Sequence, residues 1–293
     1  MKSNLDGKVG TTNGGMSDPQ LRQPTIEHLM STQNASTNTS PAIIAESMLE
    51  MPFIDPIELL KKIKTAKILE EIQSLGCCSP ERMYIVYAED KEYGKGELTK
   101  LFMCKDSSTC CQHYFCCTNC REFNMDIICK RIKFDSVLKR YSTEWFPFIK
   151  LSRSYSCICS AFPPLSVDYI QNGKNIRLGL IRDWDTCCTY GFKVYEGSIR
   201  VPRYMVRGSC CQCGILCSCS CCKEAIFYIY DCRQDNIKIG KILKVWKEAC
   251  NKDLTNVNEY SIEFPLITTW QQKLLLIACM LFIEFRHYKN MHR

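Results

Sequence analysis

Cysteine is the residue type in this sequence with the widest range of chemistry, and it occurs in clusters. Of the 23 cysteines, the densest group lies in the stretch GSCCQCGILCSCSCC. Thiolates bind zinc, but this spacing is not that of paired C-x2-C ligands and no histidine lies close. Zinc is therefore disfavoured, and acylation or a structural role stays open for these residues, which are Cys210, Cys211, Cys213, Cys217, Cys219, Cys221 and Cys222.

Two further cysteine groups lie upstream of this cluster. One, in a loop-like stretch with His113, is a weak candidate for a metal site and consists of Cys104, Cys110, Cys111, Cys116, Cys117 and Cys120. The other is Cys157 and Cys159 in SYSCICSAFPP, where the thiols adjoin aromatic and apolar residues. Such cysteines are candidates for S-palmitoylation, and buried strand cysteines are the alternative. Without an N-terminal signal sequence, a reducing compartment is expected and disulfides are not.

Oxygen-bearing side chains are concentrated in residues 253–259. Calcium takes such oxygen ligands from loops. The segment lacks the glycine of an EF-hand loop and contains only two carboxylates, so the predicted calcium affinity is weak. The predicted ligands are Asp253, Thr255, Asn256, Asn258 and Glu259.

Catalytic motifs are absent from the sequence, which has no nucleophile elbow, no P-loop and no paired histidines. The sequence contains only four histidines, which disfavours histidine-based catalysis. We therefore predict that the protein is not an enzyme. The net charge of +7 is mild and includes no dense basic block, so nucleic acid is not an expected partner. Residues 240–249, GKILKVWKEA, are interpreted as a solvated strand edge, with a lipid-headgroup or nuclear-import patch as the alternative.

Periodicity divides the chain into a polar tail and one folded domain. Residues 1–50 are rich in Ser, Thr and Asn and are predicted to be disordered. Residues 51–75 have a helical apolar period after Asp55-Pro56, which is a good helix start. Short β-like runs then fill residues 82–250, with a hairpin turn at Asn172-Gly173. The domain 51–293 is therefore predicted to be mainly β, as a sandwich or a barrel.

The longest apolar run, LLLIACMLFIEF, occupies residues 274–285. A membrane-spanning helix needs roughly 20 apolar residues, and shorter runs are more often core helices. Extending the run to 270–288 reaches that length but adds polar residues, including Lys273 and Glu284. We therefore favour a core helix threading the barrel, capped by Thr268 or Thr269, with Glu284 where it leaves the barrel. A spanning anchor is the alternative.

Over residues 51–288 the following motifs occur in this order: YIVYAED, TCCQHYFCCTNCREFNMDII, SYSCICSAFPPLSVDYI, GLIRDWDTCCTYGFKVYEG, IGKILKVW, EFPL and LLLIACMLFIEF. This order resembles that of the phospholipid scramblases. It implies a tubby-like β-barrel around a central hydrophobic helix. It also implies ATP-independent, calcium-linked movement of phospholipids in both directions between membrane leaflets, with Cys157 and Cys159 in the palmitoylated element.

The same resemblance implies location at the cytosolic face of a membrane, expected to be the plasma membrane, with a nuclear pool as a second location. The partner is then the phospholipid membrane, and homo-oligomers or protein partners stay open. This chain departs from the family where Asn256 and Asn258 replace aspartates, which predicts weaker calcium binding. The alternative function is an acyl-tethered lipid- or protein-binding module with a signalling or nuclear role and no transport.

Overall fold

A closed antiparallel barrel of twelve strands forms the body of the protein. The computed structural model describes residues 55–75, 80–89, 98–107, 122–135, 140–156, 162–212, 224–246 and 256–288, all within the compact unit Phe53–Arg293. Each strand pairs with the next one along the chain, and β1 pairs with β12 to close the ring. The strands are β1 Thr65–Leu75, β2 Pro80–Glu89, β3 Thr99–Asp106, β4 Phe123–Asp135, β5 Arg140–Arg153, β6 Leu165–Gln171, β7 Lys174–Asp183, β8 Thr189–Glu196, β9 Tyr204–Ser209, β10 Glu224–Asp231, β11 Ile237–Trp246 and β12 Asn256–Glu263.

Alternation of side chains explains why these segments are strands. In β10, every second residue from Ala225 to Asp231 is buried in the barrel and the residues between them are more exposed, as the two-residue period of a strand requires. The predicted hairpin turn also forms: Asn172 and Gly173 join β6 to β7 and both have positive φ, 50° and 74°, as a two-residue hairpin needs.

The helix α2, Trp270–Ile283, fills the barrel. Thr269 caps it, because its hydroxyl accepts from the Gln272 N–H at 3.3 Å while the Gln272 side chain accepts from the Thr269 N–H at 3.1 Å. Residues 274–283 are each at most 1% exposed, which suits a helix that is apolar on all sides. The predicted barrel around a hydrophobic helix is therefore confirmed.

The chain continues from α2 into a π-helical turn, Glu284–Tyr288, which is also mostly buried. At 1.5 Å per residue, the 14 residues of α2 extend about 21 Å. Within the described residues, no helix combines the length and the apolar character needed to cross a bilayer. The expectation that Glu284 leaves the barrel is wrong, because this residue is only 1% exposed.

Because neighbouring strands are antiparallel, successive connections lie at opposite ends of the barrel. We call the end at which α2 begins the proximal end and the end at which the π-helical turn lies the distal end. Gln272 contacts the start of β9 through Tyr204, at the proximal end. Arg286 contacts the last residue of β7, Asp183, at the distal end. The β6–β7, β8–β9 and β10–β11 connections are therefore all proximal.

The predicted amphipathic helix over 51–75 is wrong for most of its length. A short helix, α1, covers only Pro56–Lys62, with Asp55 accepting from the Ile57 N–H at 2.9 Å as its N-cap. The ammonium group of Lys273 donates to the carbonyl groups of Leu60, Lys61 and Ile63 at 2.8–2.9 Å and so satisfies the end of α1. The chain then enters β1, in which residues 65–71 alternate between the barrel interior and its surface. The predicted disordered tail, residues 1–50, lies outside the described residues.

Candidate functional site

An ionic cluster lies inside the barrel near its distal end. The Lys244 ammonium group is 2.9 Å from Oε2 of Glu284, and both side chains are 1% exposed. The hydroxyl of Tyr260 donates to the same carboxylate oxygen, and the Lys244 nitrogen lies 3.4 Å from the centre of the Tyr288 ring. Lys244 belongs to the segment interpreted as a solvated strand edge. That interpretation is wrong for Lys244, because a closed barrel has no edge strand and the Lys244 side chain is buried inside it.

A second buried polar contact joins the first strand to the last. The amide nitrogen of Asn258 donates to Glu70, and both residues are fully buried. Oδ1 of Asn258 and Oε1 of Glu284 have no hydrogen-bond partner among the described residues. Buried polar atoms are normally satisfied, so these two oxygen atoms are exceptions inside the barrel.

The distal mouth of the barrel is closed by a second set of charges. The Arg286 guanidinium contacts Asp183 at 3.0 Å and Asp185 at 3.9 Å, and Arg153 approaches Asp183 at 3.9 Å. Burial raises the pKa of Asp185, although the Gly191 N–H donates to its carboxylate at 3.1 Å and acts in the opposite direction. Burial also lowers the pKa of His287 to about 3, so this imidazole is neutral at physiological pH.

A cavity of about 350 Å³ opens at the proximal end, between α1 and strands β4 to β6. Small-molecule sites are usually about 300–1,000 Å³ and mainly apolar. The aromatic rings around this cavity pack edge to face, with 5.3 Å between the centres of Phe148 and Tyr169 and 5.7 Å between those of Tyr169 and Trp270. The lining residues are Asp55, Pro56, Ile57, Cys129, Lys130, Phe146, Phe148, Tyr169, Ile170, Gln171 and Asn172.

The lining of this proximal cavity is suited to an amphipathic ligand. Aromatic rings give it an apolar wall, while Lys130 places an exposed ammonium side chain at its edge. The Asp55 carboxylate is partly engaged as the cap of α1. A ligand with an apolar body and an anionic group therefore fits this chemistry. The sequence does not indicate this cavity, because its walls come from segments far apart in the chain.

The residues of the predicted calcium site do not converge on one point where their side chains are described. Asn258 faces the barrel interior and contacts Glu70, whereas Glu259 faces outward and pairs with Lys67. Adjacent residues of a strand point to opposite faces, so this pair cannot ligate one ion together. Asp253 and Thr255 lie outside the described residues, as does the side chain of Asn256.

Four exposed or partly exposed thiols gather at the distal end. Cys210 and Cys211, from the predicted zinc cluster, have sulfur atoms 3.8 Å apart, and the Cys210 N–H donates to the Cys188 carbonyl group at 3.1 Å. Cys187 and Cys188, which sequence analysis did not select, have sulfur atoms 3.6 Å apart. The hydrogen bond to Cys187 raises the pKa of Cys188, and burial raises that of Cys210, so both groups are protonated thiols at neutral pH when no metal ion is bound.

No group of three or more metal-binding side chains occurs in the described parts of the chain. The other members of the predicted zinc cluster, Cys213, Cys217, Cys219, Cys221 and Cys222, lie outside those parts, as do the lipidation candidates Cys157 and Cys159. Of the upstream cysteine group, Cys104 is described and is buried in the core. Burial raises its pKa far above the ordinary thiol value, so Cys104 is an unreactive core residue.

The fold and interior define this protein as a closed antiparallel barrel built around an apolar helix, which is a tubby-like architecture. The sequence model of the Scramblase family matches residues 94–290. The chain belongs to the Scramblase family. No solved structure matches the protein.

Curated relatives are similar to this chain at low identity. Phospholipid scramblase 1 of Homo sapiens is 23% identical over 235 residues, which are 80% of this chain and 66% of the human protein. Phospholipid scramblase 2 of Bos taurus is 23% identical over 191 residues, covering 65% of this chain and 58% of the bovine protein. Phospholipid scramblase 1 of Rattus norvegicus is 22% identical over 193 residues, or 65% of this chain and 51% of the rat protein. The chain thus spans half to two thirds of these relatives.

Proposed function

We propose that this protein is a lipid transporter, not an enzyme, and that it moves phospholipids in both directions between membrane leaflets without ATP. The observation that carries the proposal is the match of the Scramblase family to residues 94–290. The relatives named as phospholipid scramblases support the choice of substrate. The barrier that such a protein must lower is the cost of moving a polar headgroup through hydrocarbon.

The packing of the barrel restricts where lipid contacts the protein. Side chains of α2 fill the interior, and residues 274–283 are at most 1% exposed, so no headgroup path runs along the barrel axis beside α2. The proximal cavity is a recess whose lining suits a phospholipid. We therefore assign the first lipid contact to this cavity, with Phe146, Phe148 and Tyr169 against the acyl region and Lys130 near the phosphate.

The test of transport is reconstitution into liposomes that carry a fluorescent phospholipid in both leaflets. Dithionite bleaches only the outer leaflet unless the protein exposes inner-leaflet lipid, so the parent protein should extend bleaching beyond the outer-leaflet fraction. Lys130→Glu should slow this phase by at least about fivefold, because it reverses the charge that would face the phosphate. Lys150→Glu is the matched control, since this exposed lysine lies on β5 outside the cavity lining.

The outcomes of this assay separate the parts of the proposal. Bleaching limited to the outer leaflet, both with and without calcium, would contradict transport by this protein. Equal rates for the Lys130 and Lys150 variants would contradict the cavity assignment and leave transport standing. A lipid flow measured in only one direction would contradict bidirectional movement.

We also propose that calcium raises the transport rate through the segment 253–259, with Asp253 and Glu259 as its carboxylate ligands. The close spacing of oxygen-bearing side chains supports this, and Asn258 is excluded because it faces the interior. Asp253→Ala/Glu259→Ala should remove any calcium dependence. Lys67→Met is the matched control, because it removes the partner of Glu259 and keeps the carboxylate. A calcium response that survives the double substitution would contradict this ligand set.

Acylation of Cys157 and Cys159 would attach the protein to the cytosolic face of the plasma membrane. The proposal is supported by their aromatic and apolar neighbours in the sequence. Hydroxylamine-sensitive acyl labelling in cells should be lost in Cys157→Ala/Cys159→Ala. The matched control is Cys187→Ala/Cys188→Ala at the exposed distal pair. Loss of the label only in the control would move the acylation site to the distal thiols.

A further inference from the structure

Most of the large exposed hydrophobic side chains among the described residues lie at one end of the barrel. Eight such residues are more than a third exposed, and six of them are at the proximal end. Leu266 and Ile267, between β12 and α2, are the extreme cases at 92% and 91% exposure. We call the six the apolar rim; they are Ile176, Ile199, Val201, Ile237, Leu266 and Ile267.

Adjacent strands bring the apolar rim together. Its members lie in or beside the connections β6–β7, β8–β9, β10–β11 and β12–α2, which follow one another around the proximal end. Two of the connections, β8–β9 and β10–β11, are also tied to each other. The Cys232 N–H donates to the Arg203 carbonyl group at 3.2 Å, and Arg203 pairs with Asp231 at 2.9 Å. These two connections therefore form one surface of the rim and are not independent loops.

Basic residues surround the apolar rim. The four connecting segments 171–177, 197–203, 232–238 and 264–269 contain six basic residues and one acidic residue, Asp235. Five of the basic residues are exposed: Lys174, Arg177, Arg200, Arg233 and Lys238. Arg177 and Arg203 pair with Asp168 and Asp231, so the other four carry the surplus positive charge. Exposed aliphatic side chains flanked by cations are the composition of a surface that binds at the interface of an anionic membrane. A solvent-facing barrel end has no physical need for such a composition.

We propose that the proximal end of the barrel docks on an anionic bilayer, with the apolar rim in the interface and the flanking cations against the headgroups. This inference rests on the proposed membrane function and adds the face through which contact is made. Because α2 lies inside the barrel, it contributes no surface to a bilayer, and the rim supplies one. The proximal cavity shares Gln171 and Asn172 with the β6–β7 connection, so docking brings its mouth to the headgroup layer.

The distal end is the competing surface. It carries the other two exposed hydrophobic residues, Tyr155 and Phe162, at 54% and 38% exposure. The strands that flank Cys157 and Cys159, β5 and β6, also meet at this end. Proximal docking and acyl attachment at those cysteines therefore predict opposite orientations, which makes the two ends experimentally separable.

Vesicle flotation of the purified full-length chain tests the proposal. The protein is first treated with hydroxylamine to remove thioester-linked acyl groups. It is then mixed with vesicles of phosphatidylcholine, alone or with phosphatidylserine. The parent protein should float with the anionic vesicles. Leu266→Asp/Ile267→Asp should lower the bound fraction about tenfold or more, and Lys174→Glu/Arg200→Glu should do so for anionic vesicles only. Tyr155→Asp is the distal control and should bind like the parent.

Insertion itself is measured with Leu266→Trp. Its added fluorescence should be quenched by brominated phosphatidylcholine beyond the quenching of the parent protein. Failure of the parent to float, equal binding of the rim variants, or loss of binding only in Tyr155→Asp would each overturn the proposal. Circular dichroism confirms that each variant is folded. Rim-dependent flotation without lipid scrambling would retain this inference and contradict the transport function. Lipid scrambling by the parent protein together with unchanged flotation of the rim variants would retain the transport function and contradict docking through the rim.

Discussion

Lys244 and Glu284 form an ion pair whose two members come from different elements of the barrel. The pair joins β11 to the end of α2, 40 residues apart in sequence, and water does not reach it. In such a place, the loss of one partner leaves the other charge buried, which costs more than the pair itself contributes. The consequence is that substitutions here act on the stability of the whole domain.

Lys244→Met should lower the free energy of unfolding by about 3–5 kcal/mol, because it leaves the buried Glu284 carboxylate without its cationic partner. Lys241→Met is the matched control on the same strand, since its partner Glu263 is half exposed. We expect this control to unfold at the parent denaturant concentration in urea titrations. Equal midpoints for the two variants would show that the interior pair is solvated.

His287 should make the protein acid-sensitive. Burial holds its folded-state pKa at about 3, whereas the unfolded chain has the ordinary value near 6.5. Below pH 6.5 the unfolded state binds a proton that the folded state does not, so stability falls as pH falls toward 3, by at most about 1.4 kcal/mol per pH unit. His287→Phe keeps a ring against Tyr190 and should flatten this slope in urea titrations between pH 7 and pH 4. An unchanged slope would contradict the assignment.

The close approach of α2 to the barrel wall determines which residues β7 tolerates. A methyl group at Gly179 would overlap the carbonyl oxygen of Tyr195 and would lie 2.9 Å from a methyl group of Leu275. Neither the pairing of β7 with β8 nor the position of the helix leaves room for it. The glycine is therefore required by packing and not by its φ angle.

Gly179→Ala should destabilise the domain by about 1–3 kcal/mol through overpacking. Asn175→Ala on the same strand is the control, because this residue is exposed near the β6–β7 turn. Thermal unfolding should separate the two variants by several degrees. If both melt like the parent, α2 does not press against β7 in solution.

At the scale of elements, the sequence predicted short strands over residues 82–250, the Asn172-Gly173 turn and a helix cap at Thr268 or Thr269. It missed β12, whose segment was interpreted as a calcium-binding loop. It failed at β1 because Ile68 and Ile72, four residues apart, fit a helical period as well as the two-residue period of a strand. The inward residue that breaks the alternation is Glu70, and its partner Asn258 lies 188 residues away. A buried carboxylate cannot be recognised from its neighbours when the group that satisfies it belongs to the last strand.

For the whole molecule, the central question was whether the apolar run is a core helix or an anchor. Chain composition favoured a core helix, and the barrel around α2 agrees with it. The ion pair beneath α2 and the proximal cavity were not predictable, because each is assembled from segments that meet only in the closed barrel. In the sequence, the one indication of the ion pair was Glu284, a charged residue within an apolar run.

The core role of α2 predicts a strong contrast between two identical substitutions. Leu276 is fully buried and Leu266 is 92% exposed. Leu276→Asp should abolish cooperative unfolding, since it places a charge in the core without a partner. Leu266→Asp should keep the parent transition. If α2 were an anchor outside the barrel, Leu276→Asp would also keep that transition in detergent-free solution.

The position of α2 after all twelve strands also determines how the protein folds. The barrel has no interior without this helix, and its ring closes only when β1 pairs with β12. Long-range pairings of this kind make folding slow. On the ribosome, the strands therefore emerge before the segment that fills them, with their inward apolar faces uncovered. Chaperone binding should persist until α2 is free to enter the barrel and then end abruptly.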